Sequence, residues 1–144
     1  MENLAKASIN FVDDITNEVI KVALFTSTYT FSQNHEKWGD LSNEVAGASE
    51  GYEAGGKALA ITGDNVSYAD RVTTINMPDD TEWASSTITA RYAIVYKYID
   101  DTGSPHANSP LICCVDFGAD EESVAGTFKL DWNAAGLFTI TVSE

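Results

Sequence analysis

Along most of the chain, apolar side chains recur at every second position, the period of a half-buried strand. Segment 72–77 sets Thr73, Ile75 and Met77 against Val72, Thr74 and Asn76, and segment 127–132 sets Phe128, Leu130 and Trp132 against Thr127, Lys129 and Asp131. Segment 137–142 turns Phe138, Ile140 and Val142 to one side. The run VIKVALFT at 19–26 is apolar except at Lys21, which is the pattern of a strand covered on both faces. Segment 110–117 opens at Pro110, a residue tolerated at the start of a strand or on a sheet edge. The longest alternation predicts one face with Ile88, Ala90, Tyr92, Ile94, Tyr96 and Tyr98, and another with Thr89, Arg91, Ala93, Val95 and Lys97. It empties into the turn-forming residues Asp100, Asp101, Thr102, Gly103, Ser104 and Pro105.

These segments predict an all-β protein of about seven to nine strands, a single-domain β-sandwich or jelly-roll-like fold with at most one or two short helices. NAAG at 133–136 has the length and the glycine of a hairpin link between its neighbouring strands. One short helix is expected within 2–12, and a second at 40–47, with Asp40 as N-cap and Gly47 beyond its end. Residues 1–14 read as an N-terminal segment, a short helix or an arm that orders on a partner, and residues 15–144 as the sandwich domain. The loop from Ser27 to Glu50 is long enough to be functional or ordered by a partner. The apolar phases place Trp83, Tyr92, Ile94, Phe128, Leu130, Trp132, Phe138 and Ile140 in the core.

Composition adds one unusual quantity. Twenty-two acidic residues against eight basic ones give a net charge of −14 over 144 residues, spread through both halves. The interval between Lys97 and Lys129 holds no lysine or arginine, yet it contains Asp100, Asp101, Asp116, Asp120, Glu121 and Glu122. Such a surface repels phosphate backbones and anionic lipid, so no nucleic-acid or membrane partner is expected. Neither a bilayer-length apolar run nor a signal-peptide pattern is present, and synthesis in a cytoplasm is expected.

Candidate chemistry is sparse. GYEAGGKAL at 51–59 spaces Gly51, Gly56 and Lys57 like a phosphate-binding loop, but Ala58 stands where a hydroxyl should hold magnesium and Glu53 would lie inside the cradle. A Gly-Gly turn feeding a strand is the better account. The acidic clusters at 13–14, 79–80, 100–101 and 120–122 lack the alternating spacing of a calcium loop and read as solvated strand ends. Cys113 and Cys114 are adjacent, so in a strand they face opposite ways as two free thiols. The histidines, His35 and His106, sit in polar loops without an evident catalytic or metal partner. No enzyme, cofactor or metal site is expected. The aromatics Tyr29, Phe31, Trp38, Tyr96 and Tyr98 are the candidate interface, because aromatic rings interleaved with polar residues suit a protein contact.

The ordered segments 20–47, 51–59, 81–97, 110–118 and 136–142 resemble a family of small virion proteins encoded in tailed-phage structural gene clusters. The likeness runs from about Ile15 to Val142 and is most specific at the Gly-Tyr-x-x-Gly-Gly turn and at Trp83–Val95. What the resemblance implies is a particle component without catalysis. The expected role is a capsid decoration (cement) protein on the outer surface of the head, partnered by the major capsid protein and by itself as a homotrimer. The alternative is a tail, baseplate or head-fibre module that binds a host surface receptor.

Overall fold

The computed structural model describes residues 20–46, 50–61, 63–70, 72–77, 80–100, 106–133, 136 and 138–141. The expected N-terminal helix or arm lies outside them. Seven strands are present among the described residues: β1 (Ile20–Phe25), β2 (Lys57–Ala58), β3 (Val66–Ala69), β4 (Val72–Ile75), β5 (Thr81–Lys97), β6 (Leu111–Leu130) and β7 (Phe138–Thr141). They form two antiparallel sheets, in the orders β2-β1-β5-β6 and β3-β4-β7. The protein is an all-β domain. A shared core joins its sheets, in which Ile75 and the half-buried Val66 meet Val22, Leu24, Trp83, Ile88 and Val95.

β1 behaves as its continuous apolar run predicts. Ile20, Val22 and Leu24 enter the inter-sheet core, while Ala23 and Phe25 enter a second core on the opposite face. That second face is closed by loop residues Tyr29, Trp38 and Leu41. The helix expected at 40–47 does not form. Asn43 takes a left-handed φ of 66°, and Thr26 N–H donates to Asn43 O and Val45 N–H to Leu24 O, so the segment runs beside β1. The only helical turn there is a 3-10 turn at Trp38–Asp40, and the Asp40 carboxylate accepts from the Glu36 and Lys37 N–H groups ahead of it.

Four further expectations change. Segments 110–117 and 127–132 are one strand, β6, because bulges absorb the residues between them: four residues, 117–120, lie between Asp116 and Glu121, whose β5 partners Tyr92 and Ala90 are separated by Arg91 alone. Positive φ at Gly118 (85°) and Ala125 (47°) supplies the bends. Residues 120–122 therefore lie inside a strand and do not end one. NAAG does not make a hairpin, since β7 pairs with β4 and the link carries the chain from one sheet to the other. Finally, the tyrosine face is not continuous. A register shift between Ala90 and Tyr92 moves the inter-sheet core from Ile88 and Ala90 to Ala93 and Val95, and leaves Tyr92, Ile94 and Tyr96 on the opposite face.

Candidate functional site

The Gly-Tyr-x-x-Gly-Gly segment is a turn built for close approach. Gly51, Gly55 and Gly56 all have positive φ, and a β-carbon on Gly56 would overlap the Val22 carbonyl oxygen. Tyr52 is buried, and its hydroxyl accepts from Leu24 N–H at 3.0 Å while donating to Glu44 Oε1 at 2.8 Å. The same Glu44 oxygen accepts the Gly55 N–H at 2.6 Å. Burial raises the Glu44 pKa, and the two hydrogen bonds oppose that rise. Tyr96 completes the clasp by donating to Gly55 O at 2.7 Å. Lys57, the residue that would bind phosphate in a P-loop, donates instead to Glu82 O. Its ammonium lies 5.8 Å from the Trp83 ring centroid.

The Trp83–Val95 segment is likewise consumed by folding. Trp83 is 1% exposed and packs on Tyr52 and Phe128. The bulges flanking Ser86 displace the ladder between β5 and β6, and two hydroxyls replace its lost partners: Phe128 N–H donates to Ser86 Oγ and Ile88 N–H to Ser123 Oγ. The two serine oxygens share a buried hydrogen bond of 2.8 Å. At the wide bulge, Arg91 holds Asp116 through both carboxylate oxygens, at 2.5 and 3.3 Å. Asp116 Oδ1 also accepts the Gly118 N–H at 2.8 Å. These bonds place the Asp116 pKa below the usual carboxylate range.

The five candidate interface residues part company. Tyr29 and Tyr96 are 3% and 0% exposed, so their assignment to an interface is corrected: they are core. Burial raises the Tyr29 hydroxyl pKa to about 12. Trp38 and Tyr98 are half-buried, and Phe31 is 47% exposed. Trp38 lies 4.6 Å from Tyr96 and 5.7 Å from Phe25 between ring centroids, while Tyr98 is capped by the Lys21 ammonium at 3.9 Å. The histidines are not isolated in polar loops. Tyr29 and His35 share a hydrogen bond of 3.0 Å, and His106 packs between Trp38 and Tyr98. Sequence spacing hides this layer because its members come from β1, β5 and two loops.

Cys113 and Cys114 face opposite cores as free thiols, and burial pushes their pKa values up to about 12 and about 11. Neither is poised for thiolate chemistry at neutral pH. Cys114 borders a cavity of about 380 Å³ under Phe31, Gln33 and His35.

A larger concavity of about 700 Å³ lies beside β6. Val115, Phe117, Phe128 and Trp132 line it, with Glu121 and Glu122 among its polar groups. Lys129, also on its wall, is held between Asp80 at 2.7 Å and Asp131 at 2.6 Å, so its charge is already matched. Sequence reading missed this groove by ending a strand at Phe117. The signal was available in the spacing of Val115 and Phe117 followed by Gly118, an apolar alternation meeting a bulge-forming residue. No protein-family model matches the chain, and neither a curated protein nor a solved structure is detectably similar to it.

Proposed function

We propose that this protein is a non-catalytic virion component, a decoration protein that binds the outside of a tailed-phage head and stabilises the lattice of the major capsid protein. The observation that supports this reading is how its two most specific segments are used. The Gly-Tyr-x-x-Gly-Gly turn and the Trp83–Val95 strand carry the resemblance, and their polar groups serve the fold: Tyr52, Ser86, Arg91 and Lys57 all bond to neighbouring backbone or side chains. A sequence signature spent on building a rigid sheet suits a particle component more than an enzyme, whose signature would converge on a cavity. The buried aromatic layer on the second face supplies stiffness to the same end, since aromatic pairs contribute about 0.5–1.5 kcal/mol each beyond their buried area.

Particles with and without the protein provide the test. The protein should be present in proportion to the major capsid subunit, and heads carrying it should resist heat that ruptures heads lacking it. Equal resistance would sink the decoration role. A copy number matching tail proteins would favour the receptor-binding alternative, for which the groove's pairing of Trp132 with acidic and amide groups suits a sugar ring.

A further inference from the structure

We propose that the outer edge of β6 and the groove beside it are a docking site for an extended, basic strand of a partner protein. β6 ends the four-stranded sheet, and among the described residues its outer side is met only at its start, where Leu111 N–H donates to Glu36 O. A row of edge N–H and C=O groups is a template for an added strand. Edges that must stay single are blunted by charges, lysine above all, by proline or by bulges; residues 111–128 contain no lysine or proline, their charges are all acidic, and the bulges at Gly118 and Ala125 leave 119–124 between them. β6 presents Val115 and Val124 instead, at 38% and 78% exposure, two of the four large hydrophobics exposed among the described residues. An extended segment alternates its side chains between two faces. Its apolar side chains would enter the groove over Phe117 and Phe128, and its basic ones would pair with Glu121 and Glu122, which line the same groove.

Charge selects the occupant. A second copy would bring its own net charge of −14 and set one row of β6 carboxylates against another. Residues 1–19 of this chain carry Glu2, Asp13, Asp14 and Glu18 against Lys6 alone, so their charge does not complement an acidic rim. What fits is a segment alternating lysine or arginine with valine, isoleucine or leucine. Bulges at Gly118 and Ala125 interrupt the backbone ladder, so the groove and the charges carry much of the affinity and binding weakens with salt.

This inference stands on the groove and edge alone, and the particle comparison can succeed or fail independently of it. Its test is to titrate the full chain, labelled with nitrogen-15, with an eight-residue peptide alternating lysine and valine. A peptide alternating glutamate and valine is the control. The expected result is saturable binding of the lysine peptide alone, with slowed exchange of those amides of 121–130 that point away from β5. Glu121→Lys with Glu122→Lys should weaken it about tenfold or more, and the paired change to Gln by less, as loss and reversal of two exposed charge contacts imply. Absence of binding, equal binding by the reversed variant, or protection in the free chain of those amides of 121–130 that point away from β5 would each overturn the proposal. So would a peptide-displaced dimer in sedimentation, which would make a second copy the occupant.

Discussion

Among the described glycines, Gly56 has the least room for a β-carbon. Its φ of +67° is left-handed, and any β-carbon would overlap the Val22 carbonyl oxygen on the neighbouring strand. Gly56→Ala should therefore cost about 3 kcal/mol or more, from strain and displaced backbone together. Urea denaturation checks this; a loss below about 1 kcal/mol would mean that the turn relaxes freely. The serine pair makes a different prediction. Ser86→Ala or Ser123→Ala strands a backbone N–H at a bulge and should cost roughly 1–3 kcal/mol. Because the two hydroxyls also bond each other, the double variant should cost less than both losses combined. Glu44 ties stability to pH. Its folded pKa is raised, so its contribution is fully present below the unfolded glutamate value of about 4.3 and declines as pH rises through the folded value. Glu44→Gln keeps an acceptor for Tyr52 and Gly55 and should flatten that part of the slope in denaturation series across pH. The glycine turn was legible in the sequence because Gly-Gly has few other uses. Ser86 was not, because a serine that repairs a ladder looks like any strand serine until the bulge beside it is known.

At the scale of elements, β1 was legible on both faces and the core side of β6 was legible at Phe128 and Leu130, where period-two alternation is unbroken. Tyr92 and Trp132, also expected in the core, lie at its margins, half-buried. For Phe138 and Ile140 the described structure gives the strand and its pairing with β4. β5 misled where one residue shifts the phase: a slip at Arg91 exchanges the faces for everything after it, and no residue type announces such a slip. The split of β6 has a related cause, since Gly118 and three acids read as a solvated strand end when the Arg91–Asp116 bridge across the bulge is unseen. Phe128 gives a direct check on the observed phase. It is 5% exposed and packs on Trp83 and Phe117. Phe128→Ala should cost about 3–5 kcal/mol by denaturant titration. Trp38 gives the complementary check, because its indole stacks within its own molecule on Tyr96 and Phe25. Trp38→Ala should lower the stability of the isolated protein by about 2 kcal/mol. An unchanged stability with lost particle retention would return Trp38 to the interface.

For the molecule as a whole, the decisive quantity is the net charge of −14, which no arrangement of eight bases can neutralise. Several of those bases are already committed: Arg91 to Asp116, and Lys129 to Asp80 and Asp131. The remaining carboxylates repel one another more in the compact state than in an expanded chain, so electrostatics acts against folding at low ionic strength. Salt should therefore stabilise this protein. Raising sodium chloride from about 10 mM to 150 mM shortens the screening length from roughly 30 Å to 8 Å. That weakens repulsion across the whole surface but touches only a few exposed ion pairs, each worth about 1 kcal/mol or less. Calorimetry at pH 7 should show Tm rising by a few degrees, since about 1 kcal/mol corresponds to several degrees in a domain of this size. The docking edge links this behaviour to function. Two Glu→Lys reversals at 121 and 122 each add two units of charge, bringing −14 to −10, and relieve repulsion where Asp116, Asp120, Glu121 and Glu122 crowd one strand. That variant should be more stable than the parent at low salt and should lose part of the salt response, while losing its affinity for a basic strand. A parent Tm that falls with added salt would show that local ion pairs outweigh the global repulsion, and would remove the charge argument for a basic partner.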